Sequence, residues 1–425
     1  MYRIAQKYLP YTNLLTLPEL ISAIKYQNNI PDNNIIFPGQ NLKIPVTWDK
    51  IPSTLDHINH QTIRGIYLNT YQLSTARLHE IISHYDSLGC NALVIDFKNE
   101  NGEILYSTSH PLAREIGAYN PIIASPQKLV YLLHAHDIMV IARLTLFKDP
   151  KLAQAKPEWT PQSIPVGQKN PTEVDTNYSS IDNKQSLLND TLSTALIDSF
   201  PVPDTSWVNP ALAEVQQYNL AIIKEVAGLG VDEIQLDYVR FPTEAHLLDA
   251  NYNIPDSIPK YQVIVDFLKS AQAITKDAGI TLSADIFGVV ALQNPQDIIN
   301  TGQIIELSMP YIDRLHPMIY PSHFFGTFWG RQNPEKEPYY FTYRTCKKIG
   351  EIINEPEKMA PYLQAFSLNI SNLTPIYIIS QLQALTDVNV KGGYLFWNAN
   401  GNYDAVWEAL RLWNKHPLLY QLFYK

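Results

Sequence analysis

From Ile63 onward, short apolar runs alternate with amphipathic stretches of helical period, and this alternation leaves few folds open. The strand-like runs are Arg64–Leu68, Ala92–Lys98, Met139–Phe147, a run within Asp232–Pro242, Thr281–Phe287, Arg314–Tyr320, Ala360–Phe366 and Gly393–Asn398. Helical periodicity covers Thr75–Leu88, Pro126–His136, Ala211–Leu229, Tyr261–Asp277 (stopped by Gly279), Ile376–Thr386 and Tyr403–Trp413. Eight strands with about eight helices in about 350 residues predict an α/β chain folded as a (β/α)8 TIM barrel. An open doubly wound sheet would carry a Gly-rich phosphate turn after an early strand, and none is present. Pro317 and Pro361, inside the sixth and seventh runs, fit a closed barrel awkwardly and blur those strand ends.

Composition narrows the function. The 425 residues carry a net charge of −9 with no basic stripe, which argues against a nucleic-acid partner. No apolar run approaches the roughly 18 residues that a membrane-spanning helix needs. The N-terminal MYRIAQKYLP lacks the apolar core of a signal peptide. Cys90 and Cys346 lie far apart, so buried thiols are expected rather than a disulfide framework. The 26 tyrosines and 7 tryptophans suit a carbohydrate-binding surface and equally a large core.

The chemistry is concentrated in Asp232–Pro242, DEIQLDYVRFP. Ile234, Leu236 and Tyr238 alternate with Gln235, Asp237 and Val239, so one face of this strand is polar where a doubly buried strand should be apolar. A carboxylate there is costly unless paired. Taken alone, Asp237 with Arg240 reads as a structural pair closing a strand end. The other runs also end in polar groups: Asp96 and Lys98, Arg143, Asp285, His316 and Tyr320, Gln364, and Asn398. In a barrel these converge on one face, the face where catalysis sits. Three aspartates on separate strands at the same end are hard to explain by packing.

Glycosidic cleavage needs one charged carboxylate and one protonated carboxyl. Asp237 is the candidate nucleophile or base and Asp285 the candidate general acid. Asp96 is an alternate acid or a ligand for a sugar hydroxyl. Arg143, Lys98 and Arg240 could keep one carboxylate ionised. Which carboxylate takes which task does not follow from the residues.

Two long insertions leave the same end of the expected barrel. Asp149–Ser206 is polar and Pro-rich, and His323–Phe341 carries Trp329 and several other rings. Trp329 and Trp397 are candidate sugar platforms; the plainer reading is that Trp329 packs beneath its loop. His316 and His323 stand seven residues apart across a Pro-containing turn, so no metal site and no cofactor are expected.

Residues 63 to about 413 resemble a TIM-barrel family assigned as glycoside hydrolases and long catalogued as a domain of unknown function. The resemblance is carried by Arg64-Gly65-Ile66-Tyr67, Val94-Ile95-Asp96-Phe97-Lys98, Ala142-Arg143, Phe147-Lys148-Asp149, Asp232–Pro242, Ala284-Asp285-Ile286-Phe287-Gly288, Pro317–His323 and Leu395-Phe396-Trp397-Asn398-Ala399. It implies a carbohydrate-active role.

Residues 1–46 resemble a LysM module through Ile4-Ala5, Tyr8, Leu20, Ile24, Asn28-Asn29 and the run Pro38–Pro45, which reads as a turn into a short strand. The strand and Gly-Asp turn that open that family are absent, so the module is degenerate or the chain begins downstream of it, in which case a signal peptide could have been lost. The resemblance implies polymers containing N-acetylglucosamine, such as peptidoglycan and chitin. The expected organisation is a partial α+β LysM-like module (1–46), a linker (47–62) and the barrel (63–415), in a monomeric, secreted or envelope-associated glycosidase. The rivals are a catalytically silent polysaccharide-binding barrel and a metal-dependent deacetylase or amide hydrolase.

Overall fold

In the computed structural model, which describes residues 1–31, 35–46, 56–162, 206–324 and 326–415, ten strands form one sheet. They are β1 (Ile63–Leu68), β2 (Ala92–Lys98), β3 (Ile104–Tyr106), β4 (Tyr119–Ile123), β5 (Met139–Thr145), β6 (Glu233–Asp237), β7 (Thr281–Phe287), β8 (Arg314–Ile319), β9 (Tyr362–Gln364) and β10 (Gly393–Trp397). Eight of them run parallel in the ring β1-β2-β5-β6-β7-β8-β9-β10, which closes where Ile63 pairs with Gly393 and Gly65 with Ala92. The predicted barrel is present.

Two glycines make the closing seam possible. A Cβ on Gly65 would run into the carbonyl of Ala92, and one on Gly393 (φ +102°) into the backbone of Ile63. Tyr85, from the helix Thr75–Leu88, uses the room beside Gly65: its hydroxyl donates to Ala92 O and accepts from Ile66 N. The prolines are also absorbed. Pro317 and Pro361 directly precede the Met318–Tyr362 pair that begins the short β8–β9 ladder, so the missing donors fall at its edge.

Side chains on the ring alternate between two cores. Ile66, Leu93, Ile95, Val140, Ile234 and Leu236 face outward into the helix layer, and Tyr67, Val94, Ile141, Tyr320 and Tyr362 fill the interior. On β6 this alternation aims Glu233, Gln235 and Asp237 inward, from the floor of the barrel to its mouth.

Several elements were not anticipated, among them two short strands and a long helix. β3 pairs antiparallel with β2 at Lys98–Ile104 and parallel with β4; strands this short show no readable period. The helix Pro338–Ile353 begins inside the stretch assigned to an insertion. Its buried face runs through Phe341, Thr342, Thr345, Cys346, Ile349 and Ile353, so the helix is amphipathic. Most of the Asp149–Ser206 insertion, residues 163–205, lies outside the described residues.

The N-terminal residues form helices Tyr2–Tyr8 and Leu17–Gln27, the second opened by a capping box between Thr16 and Glu19. The short strand expected before Pro45 is not formed. A strand needs a neighbour for its backbone bonds, and no strand precedes the first helix among the described residues. Instead the Asn28 side chain takes both backbone groups of Lys43, at 2.7 Å each.

The helix pair is docked on the barrel. Lys128 Nζ donates to Leu9 O and Leu14 O, and Glu19 accepts from Thr75 N (2.8 Å). Residues 56–62 lie against the barrel floor, where Ile58 N donates to Asp232 (2.7 Å) and His60 O accepts from Arg314 (3.1 Å); residues 47–55 of the expected linker lie outside the described residues. Cys90 and Cys346 are buried free thiols. Among the described residues no helix is long and apolar enough to cross a membrane.

Candidate active site

At the mouth of the barrel Arg143, on β5, lies between two carboxylates. Its Nη1 donates to Asp96 Oδ1 on β2 (2.5 Å), and its Nη2 and Nε donate to Asp237 Oδ2 on β6 (2.5 and 3.0 Å). In register, Asp96 is beside Arg143, and Arg143 is beside Gln235, two residues before Asp237 on the same face of β6, so three neighbouring strands bring the partners within reach. All three are buried. Burial works against the guanidinium's charge, yet Asp237 and Asp96 outweigh it and keep Arg143 firmly protonated.

The second oxygen of each carboxylate is also used. Tyr67 on β1 donates to Asp96 Oδ2 (2.5 Å), and the backbone N–H of Tyr238 donates to Asp237 Oδ1 (2.7 Å). Tyr238 adopts φ +52°, an unfavourable conformation for a residue with a Cβ, directly after the strand end. It aims the Asp237 carboxylate and turns the chain away from the mouth.

Asp285 on β7 is the third carboxyl, and its surroundings differ. Gln235 Nε2 donates to its Oδ1 (2.5 Å), and Gln235 is itself bonded to the Tyr362 hydroxyl. No cation bonds it. Burial, and then the charge on Asp237, push its pKa well above the usual carboxylate value. Asp96 is also raised, by burial, against the opposing pull of Arg143 and Tyr67.

One wall of the mouth is aromatic. Tyr67 and Trp397 stack with centroids 3.9 Å apart, and the Arg143 guanidinium lies 5.0 Å from the Trp397 ring. Opposite, Tyr320 is buried with a hydroxyl that meets no partner among the described residues, its ring set edge-on to His323 and Phe366. Among the described residues no group of three His, Cys, Asp or Glu side chains could hold a metal ion.

Residues 65–403 match the model of a family described as "Putative glycosyl hydrolase domain". The chain belongs to this family. No curated protein matches it. Among solved structures, the chain is similar to the PgaB (BpsB) glycoside hydrolase domain of Bordetella bronchiseptica, with 13% identity over 82% of this chain and 98% of that one (TM-score 0.52). It is also similar to a β-galactosidase from the psychrophilic Marinomonas ef1, with 10% identity over 85% and 60% of the two chains (TM-score 0.51). A third is α-L-fucosidase isoenzyme 2 of Paenibacillus thiaminolyticus, with 11% identity over 84% and 50% (TM-score 0.51). At these identities the likeness shows the barrel fold.

Within this glycosyl hydrolase domain the residues expected to bind substrate divide. Arg143, Tyr320 and Trp397 line the mouth with the three aspartates. Lys98 does not join them. The β2–β5 register shifts between Asp96 and Lys98, and Lys98 points into the helix layer, where it pairs with Asp149 (2.8 Å) and donates to Thr145 O (2.7 Å). His316 lies deep in the barrel, bonded to Glu233 (2.9 Å) and Ala360 O (2.7 Å).

The Gln364 side chain accepts from Ser322 N and donates to Phe366 O, and that of Asn398 donates to Ala365 O and Asn402 O, so both side chains are taken by the protein. Arg240 lies against the rings of Trp207 (4.9 Å) and Tyr238 (5.5 Å) and makes no ion pair with the three aspartates. Trp329 stacks on Phe341 and takes the Arg344 guanidinium at 5.2 Å, so it packs beneath its loop.

Three site residues were not singled out: Tyr67, Gln235 and Tyr362. The available signal was inward parity on β1, β6 and β9, read two residues at a time from Gly65, Asp237 and Gln364.

Proposed function

We propose that this chain hydrolyses glycosidic bonds of a cell-wall or extracellular polysaccharide, with Asp237 as nucleophile or base and Asp285 as general acid. The observation that carries this reading is the inequality of two buried carboxyls on adjacent strands. Arg143 clamps Asp237, while Asp285 is bonded by a neutral donor, and burial with the like charge of Asp237 outweighs the weaker pull of Arg143. Groups pushed apart in this way can divide acid and base work at one pH.

In this mechanism Asp285 gives its proton to the departing glycosidic oxygen. Asp237, oriented by Arg143 and the Tyr238 N–H, attacks the sugar or activates water. Asp96, tied to Tyr67, positions Arg143. The Trp397–Tyr67 wall takes the apolar face of a sugar, and the unpartnered Tyr320 hydroxyl bonds a sugar oxygen. The LysM-like residues at the N-terminus support polymers containing N-acetylglucosamine, peptidoglycan among them, and action outside the cytoplasm at the envelope.

The test is mass spectrometry of soluble products after incubation with purified peptidoglycan, chitin and a panel of bacterial exopolysaccharides. We expect oligosaccharides with new reducing ends from the wild type and none from Asp237→Asn. Equal retention of a polymer by both proteins, with no products from either, would identify a binding barrel and end this proposal.

A further inference from the structure

A second polar and aromatic constellation stands on the rim beside the mouth. The turn after β1 is fixed by Thr70, which is buried and donates to the carbonyl of Asp96 (2.6 Å). The next residue, Tyr71, turns outward and is 53% exposed. Its hydroxyl donates to Glu103 Oε2 and accepts from Asn120 Nδ2 (3.2 Å). Glu103 also accepts from Asn99 (2.9 Å) and from Asn120 (3.2 Å). Burial pushes the Glu103 carboxyl up, but the bonds from Tyr71, Asn99 and Asn120 outweigh it and hold it below the usual range, so it stays an acceptor.

These contacts have a consequence. A free surface tyrosine samples several rotamers, and fixing one on binding costs about 0.5–1.5 kcal/mol. Here the hydroxyl is held at the far end of the ring, so the ring is ordered before any ligand arrives. A pyranose presents an apolar face edged by hydroxyls, which matches an exposed ring flanked by a carboxylate and an amide.

The position also fits. Glu103 belongs to the turn after β2 whose Glu100 reaches Arg143 Nη1 at 3.9 Å. The same turn, organised by the buried Asn99, therefore touches the candidate catalytic arginine on one side and the tyrosine on the other.

We propose that Tyr71, Glu103 and Asn120 form a second sugar subsite, which holds a pyranose ring of the glycan chain beyond the bond presented to Asp237 and Asp285; this rests on the glycoside hydrolase reading. A chain bound at both places is longer than the mouth alone would hold, so polymers and long oligosaccharides are the preferred substrates. β3 and β4 supply the support for this subsite, since Asn120 lies on β4 and Glu103 directly precedes β3.

The test compares Tyr71→Ala and Tyr71→Phe by two readouts, with thermal unfolding as the check that each is folded. The first is kcat/KM on the cleaved panel polymer and on its shortest cleaved fragment. We expect Tyr71→Ala to lose roughly tenfold on the polymer, about 1.4 kcal/mol, mainly through KM, and nothing on the fragment. Tyr71→Phe, which keeps the ring but loses the bonds that hold it, should fall between the wild type and Tyr71→Ala on the polymer and match the wild type on the fragment.

The second readout is calorimetric binding of chitooligosaccharides, from dimer to hexamer, and of fragments of the other panel polymers to Asp237→Asn with and without Tyr71→Ala. Equal losses on long and short substrates, or no loss, would overturn the subsite and leave the hydrolase standing. Binding of long fragments that depends on Tyr71, in a protein whose wild type cleaves nothing, would keep the subsite and end the hydrolase reading. Absence of binding by every fragment would overturn the subsite.

Discussion

The barrel holds buried acids at both ends, and Glu233 at the floor and Asp285 at the mouth are handled in opposite ways. At the floor, Glu233 lies between Arg314 (3.2 Å) and His316 (2.9 Å). Burial pushes its carboxyl up, but Arg314's charge and the His316 bond prevail, and its pKa falls to about 2. At the mouth Asp285 is just as deeply buried, and burial prevails. Its nearest charge, Asp237, has the same sign, and its bonded partner, Gln235, is neutral. Burial is common to both; a cation on the carboxylate separates them. Glu233, with its cation, helps hold the barrel together. Asp285, bonded by a neutral amide, has its pKa raised, the direction that a general acid needs.

Substitutions at each end can break this contrast, and the largest effect belongs at the mouth. Asp237→Asn should lower turnover on the identified glycan by roughly 100- to 10,000-fold with little change in unfolding free energy. Glu233→Ala should do the reverse. It strands Arg314 and His316 and should cost about 3–5 kcal/mol by urea denaturation, while the folded fraction turns over normally. Lost turnover in a stable Glu233→Ala protein would make the floor part of the site and end the contrast.

Titration sharpens it. The folded pKa of Glu233 is below its ordinary 4.5, so its stabilisation is present above pH 4.5 and is lost as pH falls toward about 2. It amounts to on the order of 3 kcal/mol and should vanish from the acid limb of Glu233→Gln. Asp285 has the opposite sign. The unfolded chain ionises first, so stability declines as pH rises from the ordinary 3.8 through the raised folded value. Asp285→Asn should flatten that decline in a denaturation series. On the wild type, kcat/KM should fall through the same raised pKa as the acid loses its proton. The smallest effect concerns Trp329→Ala. Packing beneath its loop predicts a cost of on the order of 1–2 kcal/mol with glycan affinity unchanged; a clear loss of affinity would return it to the substrate face.

Why some residues were legible and others not follows from local and non-local causes. Asp96, Asp237 and Asp285 are ionisable side chains in runs whose apolar period is clear, so strand and polar position could be read together. Lys98 has the same inward parity as Asp96 in sequence, and only the register shift after Asp96 turns it into the helix layer. Gln364 looks like a free polar end until the Ser322 N–H and the Phe366 carbonyl take its side chain. Tyr67 and Tyr362 read as ordinary core aromatics because their hydroxyl partners come from other strands.

The sequence by itself determined the barrel, since strand and helix periods and the glycine and proline stops are local properties that survive any rearrangement of neighbours. It also determined that acids cluster at strand ends. Tertiary structure alone decided which acids receive Arg143, which one has its pKa raised beside a neutral amide, and which exposed tyrosine is held in place. Those outcomes depend on distances between strands far apart in the chain, and a carboxyl's charge state responds to everything within a few ångströms of it.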